Sequence, residues 1–315
     1  MTSDSTRRRF LTTSSAALAA VATSSCSDDE KGEVEPKHAD YIDAHVHVWT
    51  PDTTKYPLAE GYDKSSMQPP SFTPEELFAE CKPHGVSRIV LIQMSYYKFD
   101  NSYMVDMMKA HPGVFGGVAI IDETAPDVKG RMDALKADGV RGFRLRSTKE
   151  NAEKWADTPG MVEMWEHGAK AGLAMCLLAD PDSLTAVNKM CERFPDTPVV
   201  IDHFARIGMA GAVDQAELDQ LLKLGEFKHT SVKVSAFYAL GKKAAPYTDL
   251  EDMIKQLRDA YGADRLMWAS DCPFQVVDGH EYGPSISLIR DHCDFLSADE
   301  KTAILKTTAD RVFFS

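Results

Sequence analysis

The chain lacks several features that would point directly to a function. Its 315 residues contain no Cys-x-x-Cys pair, no Ser-His-Asp elbow and no glycine-rich phosphate loop after the first predicted strand. These absences exclude thiol–disulfide exchange, serine-hydrolase chemistry and the usual dinucleotide cradle. Basic charge is also scarce: 35 Lys and Arg against 48 Asp and Glu leave a net charge of −13 at pH 7. Non-specific nucleic-acid binding needs a basic face to neutralise phosphates, so this balance argues against it. No internal repeat is visible. What is there is an ordinary globular composition, 43% hydrophobic, 26% charged and 9% aromatic. A chain of this length buries a sizeable core without disulfides.

The first residues differ from the remainder. Arg7-Arg8-Arg9-Phe10-Leu11 has the twin-arginine layout, and a small apolar run, 16–22, leads to Thr23-Ser24-Ser25-Cys26. The run falls far short of the roughly 20 apolar residues that span a bilayer. Residues 1–26 therefore read as a twin-arginine export signal, and the expected location is periplasmic. Cys26 stands where a lipoprotein cysteine would, which would anchor the chain to the membrane, although Thr23 replaces the usual leucine. The charged stretch 27–39 has no periodicity and reads as a tether. Five cysteines follow, Cys81, Cys176, Cys191, Cys272 and Cys293. Cys176 and Cys272 sit in apolar strand-like runs and are expected as buried free thiols.

From residue 40 to 315, short apolar runs alternate with helical patterns. Strands are expected at 41–47, 88–94, 114–121, 140–145, 173–178, 199–202, 231–235 and 266–269. Each run is β-branched or apolar, as strands covered on both faces are. Helices are expected around Thr73-Pro74-Glu75-Glu76 and at 101–110, 128–137, 159–171, 182–194, 215–224, 249–261, 284–295 and 298–312. Eight strands alternating with helices predict a single-domain α/β fold, the (β/α)8 TIM barrel. The proline-bearing stretch 50–71 should be a loop on the catalytic face.

The chemistry gathers at strand ends. His45 and His47 are two apart, so an extended strand aims both imidazoles at the same side. His203 ends the sixth strand and Asp271 the eighth. Three histidines and a carboxylate could form a mononuclear metal site with one open position, or polarise an oxygen directly. Arg144 and Arg146 share a face of the fourth strand, and Arg206 follows His203. Their planar forks match carboxylate or sulfonate oxygens, which points to a small anionic substrate. Gln93, Tyr96 and Tyr238 follow the second and seventh strands and are candidates for binding substrate hydroxyls or for closing the rim.

These motifs together resemble the amidohydrolase superfamily: His-x-His on strand one, Asp202-His203, and Ser270-Asp271-Cys272-Pro273. The segments Gly139–Arg144 and Val232-Lys233-Val234-Ser235, with Ile92-Gln93 and Asp100-Asn101, resemble its amidohydrolase-2 branch. That branch holds sugar-acid lactonases, a pyrone-dicarboxylate lactonase, sulfomuconolactonase and aromatic-acid decarboxylases. Strand four has no lysine at its end and strand five has no histidine, which departs from the binuclear members. The resemblance leaves two states of the site. Either one divalent cation, zinc or manganese, sits on His45, His47, His203 and Asp271, or the same residues work without a metal.

Three functions follow as expectations. The first is opening of a lactone ring, with Asp271 taking a proton from water and the histidines polarising the carbonyl. The second is metal-dependent decarboxylation of an aromatic or unsaturated acid at the same site. The third is a non-enzymatic exported barrel that binds a small acid or a metal. No protein partner and no oligomeric state can be read from the sequence.

Overall fold

A computed structural model describes residues 40–315. The export signal and tether expected over 1–39 lie outside the described residues. Eight strands run β1 Tyr41–Val46, β2 Val86–Ile92, β3 Phe115–Ala119, β4 Val140–Ser147, β5 Ala174–Ala179, β6 Val199–Ile201, β7 Thr230–Ser235 and β8 Leu266–Ala269. They pair in chain order, and every neighbouring pair is parallel.

The return from β8 to β1 is made just beyond the strand ends. His47 N donates to Cys272 O at 2.8 Å, and Asp271 N donates to His45 O at 2.9 Å. The residues that join the two edges are thus the ones expected at the site. Closing the barrel and aligning those side chains are one event.

The barrel interior is packed rather than open. Ile42, Ala44, Val90, Val118, Cys176 and Met267 form one buried cluster, closed from below by Ala309 and Phe313 of the last helix, Thr308–Phe313. A larger cluster, with Leu91, Phe143, Ile201 and Trp268, packs the outer strand faces against the helices. All five cysteines among the described residues are buried and free. Burial pushes the Cys176 thiol up to about 12.

Local signals explain the helix starts. Thr73 caps Pro74–Cys81 and accepts from Glu76 N, while Glu76 bonds back to Thr73 N at 2.6 Å. The last two expected helices are interrupted. Residues 282–292 pass from an α-helix, Tyr282–Ser287, into a π turn, Leu288–His292. A second π turn, Ala303–Thr307, separates Ala298–Thr302 from Thr308–Phe313. Such a turn accommodates one extra residue, and hydrophobic period alone does not mark it. Among the described residues no helix is long and apolar enough to cross a membrane.

Asp43 locks the β1–β8 seam from its buried side. Its carboxylate accepts from Ser270 N at 2.9 Å, from Tyr282 Oη at 2.7 Å and from His45 N at 3.2 Å. Burial nevertheless dominates and raises its pKa from 3.8 to about 6. The folded state therefore holds the Asp43 proton more tightly than the unfolded chain does. Its contribution is complete below pH 3.8 and is lost as pH rises through 6. Relative to the wild type, Asp43→Asn should gain about 2–3 kcal/mol between pH 4 and pH 7. Urea unfolding at both pH values checks this, and a pH-independent difference would refute it.

Candidate functional site

The site lies at the C-terminal mouth of the barrel. His45 and His47 project there from the end of β1, with their Nε2 atoms 3.2 Å apart. Both lie 3.5 Å from Asp271 Oδ1, and His203 Nε2 lies 3.7 Å from the same oxygen. All four side chains are buried.

Backbone strain helps aim them. His203, Phe204, Ala205 and Arg206 have consecutive φ values of 53°, 52°, 53° and 62°, a single left-handed turn made without glycine. Asp271 has φ 66°. Each such residue costs on the order of 1–2 kcal/mol. The turn sets His203 against the barrel axis and Arg206 at the rim. Ala205 is fully buried, yet its Cβ is what strains the turn. Ala205→Gly should therefore stabilise the fold by about 1 kcal/mol. A denaturant midpoint that falls instead of rising would argue against strain here.

The outer nitrogens of two histidines are fixed by acceptors. His47 Nδ1 donates to Ile92 O at 3.0 Å. His203 Nδ1 lies 2.8 Å from Ser235 Oγ, which itself donates to Lys233 O at 3.3 Å. His203 therefore donates to the hydroxyl. Burial first, outweighing the pull of Asp271, holds His203 below its ordinary value, so it is neutral. His203 Nε2 then turns a lone pair toward the Asp271 carboxylate, an arrangement that calls for a cation or a proton between them.

Below these groups lies a charge network. Lys233, fully buried on β7, places Nζ 3.0 Å from Asp202 Oδ1 and 3.2 Å from His45 Nδ1. Arg144 Nε is 3.3 Å from Asp202 Oδ2, and Arg144 Nη1 is 3.3 Å from His45 Nε2. Burial would raise the Asp202 pKa, but Lys233, His45 and Arg144 outweigh it and hold the carboxyl well below its usual range. His45 is held well below its own, by burial and then by Lys233 and His203. Burial also opposes ionisation of Asp271. The facing imidazoles, His203 first and then His47 and His45, outweigh it and hold the Asp271 carboxyl below its usual range. Tyr238 Oη donates to its Oδ2 at 2.8 Å.

Above them opens a cavity of about 640 Å³ lined by His47, Gln93, Arg144, Arg146, His203, Arg206, Tyr238 and Asp271, with apolar side chains between. Nine of the ten expected site residues enter this cavity or, for His45, border it. Tyr96 does not. It is buried beneath the 50–71 loop, packed on Trp49 and Tyr62 with ring centroids 5.3 and 5.7 Å away, and its hydroxyl accepts from Gln68 N at 3.4 Å. Tyr96 holds the loop and is absent from the cavity wall, a correction to its expected role.

Asp202, Lys233 and Asp180, none of them among the expected site residues, also belong to the site. Asp180 bridges Arg146 and Arg206 at the rim. A visible signal existed for Lys233, a lone charge inside the apolar run Val232-Lys233-Val234.

Donor geometry permits a cation. His45, His203 and Asp271 offer donor atoms all within 4.8 Å of one another, and His47 meets two of the three. Tetrahedral zinc, with bonds of about 2.0–2.2 Å, sets its donors about 3.3–3.6 Å apart. The closest separations here, 3.2 to 3.7 Å, fall around that spacing.

The amidohydrolase family model matches residues 42–314. The chain is similar to an L-fucono-1,5-lactonase of Burkholderia ambifaria, 27% identical over 278 residues, covering 84% of this chain and 91% of that protein. It is also similar to a 4-sulfomuconolactone hydrolase of Hydrogenophaga intermedia, 28% identical over 280 residues and covering 86% and 88% of the two chains. Among solved structures, an amidohydrolase from Burkholderia multivorans with bound zinc has a TM-score of 0.73 at 20% identity, covering 87% of this chain and 99% of that one, a likeness of fold. Since the match runs from β1 through the last helix and takes in all four polar strand ends, the chain belongs to the amidohydrolase family.

Proposed function

We propose that this chain is a hydrolase that opens the ring of a small carboxylated or sugar-acid lactone. The observation that carries the reading is the buried Asp271 carboxyl, with one oxygen held by Tyr238 and the other facing three imidazoles at the cavity floor. The lactone relatives support the same chemistry.

Tyr238 orients Asp271 and leaves Oδ1 to take a proton from water. The water oxygen bonds to the ring carbonyl carbon as that proton moves to Asp271. Arg144, which lines the cavity, stabilises the charge that develops on the carbonyl oxygen. The ring C–O bond then breaks, and the leaving alkoxide recovers the proton from Asp271. Water adds across one ester bond, and no other reactant is required.

A single zinc or manganese fits His45, His203 and Asp271, with His47 beside them. Such a cation would acidify the water and polarise the carbonyl. That fits a base held below the ordinary carboxylate range, which is weak toward unactivated water. The test is metal content of the purified protein, paired with a pH-indicator screen of lactones before and after chelation. The expected result is about one equivalent of metal and loss of turnover on chelation, restored by zinc or manganese. Hydrolysis that survives chelation would remove the cation and leave the lactonase reading. Decarboxylation without hydrolysis would refute that reading.

Any acid limb of kcat/KM set by His45 or His203 should lie below 6.5, the ordinary histidine value, because burial holds both below it. An acid limb of kcat/KM centred at or above 6.5 would contradict their neutrality. We further propose export by the twin-arginine signal at 1–26 to the periplasm, with the signal removed either before a lipidated Cys26 or by ordinary cleavage nearby. Precursor retained in the cytoplasm on Arg8→Lys with Arg9→Lys would support the export route, and normal export would refute it.

A further inference from the structure

The cavity above Asp271 is unlike one built for a polyol. Between its polar groups the lining is apolar, with Met94, Ile120, Leu178, Met209, Leu240 and Phe274. Of the uncharged polar side chains there, Ser95 keeps its hydroxyl free, while Tyr238 and Gln93 have spent their protons on the protein. Tyr238 spends its hydroxyl on Asp271. Gln93 spends its amide protons on Lys98 O and Asp100 O, at 3.2 and 2.6 Å. A sugar ring placed here would leave several hydroxyls desolvated and unpaired, each at a cost a hydrophobic wall cannot offset.

Charge at the rim is specific as well. The deeper cations, Lys233 and Arg144, face the Asp202 carboxyl, and the Asp271 carboxyl lies above them. At the rim, Asp180 holds Arg146 on one carboxylate oxygen and Arg206 on the other. Asp180 does not line the cavity, whereas both arginines do. Arg146 is fixed further by Leu178 O at 2.9 Å, and Arg206 Nε by Met209 Sδ at 3.0 Å. Two arginines braced by one carboxylate leave a single positive charge toward the cavity, with forks already ordered.

Resting on the lactonase reading, we infer that the substrate is a lactone with an apolar body and one terminal acid, seated between Arg146 and Arg206. Asp180 is a positioning residue, because it holds the two forks and does not touch the substrate. Ring opening takes place at Asp271, and the acid end stays at the rim.

The test uses three probes: a γ-lactone bearing a four-carbon alkyl chain that ends in carboxylate, its primary amide, and an aldonolactone. The wild type should favour the acid over the amide by about 10- to 100-fold in kcat/KM, as a charge-assisted contact does. It should favour the acid over the aldonolactone by at least as much. Arg146→Gln and Arg206→Gln should each cut the acid-to-amide ratio about tenfold. Asp180→Asn should cut it through the KM for the acid, with kcat little changed, a split that general loosening of the fold would not give. If Asp180→Asn fails to fold, the two arginine variants still decide.

An aldonolactone turned over as well as the acid, or a ratio that both arginine variants leave unmoved, would overturn the inference while the lactonase reading stands. If no lactone is opened at all, that reading fails, and calorimetry with the ring-opened hydroxy acid decides the seat. Binding weakened about tenfold by Arg206→Gln would uphold the seat, and binding unaffected or absent would overturn it.

Discussion

Asp271→Asn should fold like the wild type and lose about 10³-fold or more in kcat, with KM little changed. The fold survives because the bond that closes the barrel here is main chain, Asp271 N to His45 O at 2.9 Å. Asparagine is also among the few residues that accept the φ of 66° found at this position. The side chain keeps its shape and can still accept from Tyr238. What disappears is the basic oxygen facing His45, His47 and His203. A neutral amide cannot hold the proton of the attacking water or return it to the alkoxide. The check is kcat for a lactone together with a thermal melt. A variant within tenfold of wild type would remove Asp271 from the proton path. A variant that fails to fold would show that its charge is structural.

Much of this site was legible because strands have a period of two. His45 and His47 meet at 3.2 Å because an extended chain puts alternate residues on one side. The same rule set Arg144 and Arg146 on the cavity wall. His203 and Asp271 were found from strand ends, since parallel strands of a barrel deliver those ends to one mouth. Other features depend on what surrounds a residue. Lys233 and Asp202 become a pair only when β6 and β7 lie side by side, and a lone strand carries no sign that both are fully buried. Tyr96 was misplaced because the course of the 50–71 loop, pinned by Trp49 Nε1 to Pro69 O at 2.9 Å, is set by packing and not by period. The left-handed turn at 203–206 has no glycine to announce it.

An acid seated at the rim, as inferred above, would meet two tiers of charge in an otherwise acidic chain. The net charge of −13 is a property of the whole sequence and governs solubility. Recognition is local, and at this mouth Arg146 and Arg206 share the single carboxylate of Asp180. Deeper in, Asp202 and Lys233 are fully buried with Arg144 beside them, and the attraction of the buried pair is felt more strongly than at the surface.

Lys233→Met should cost about 3–5 kcal/mol of stability, the largest loss expected of any single change at this site. Methionine matches the length of the lysine stem, so the loss is one of charge more than of volume. Asp202 is fully buried and has Lys233 at 3.0 Å, Arg144 at 3.3 Å and His45 at 3.4 Å. None of these contacts satisfies its oxygens along the line of a hydrogen bond, so the carboxylate depends on the positive charges around it. Without Lys233 it retains one permanent cation and a histidine that burial keeps neutral. Adding Asp202→Asn removes the uncompensated charge, so Lys233→Met with Asp202→Asn should recover about half of the loss or more. Urea unfolding of the wild type, both single variants and the double variant measures the coupling. A Lys233→Met cost under about 1 kcal/mol, or a double variant no better than the single, would mean that Arg144 alone balances Asp202 and that the lysine acts on His45 instead.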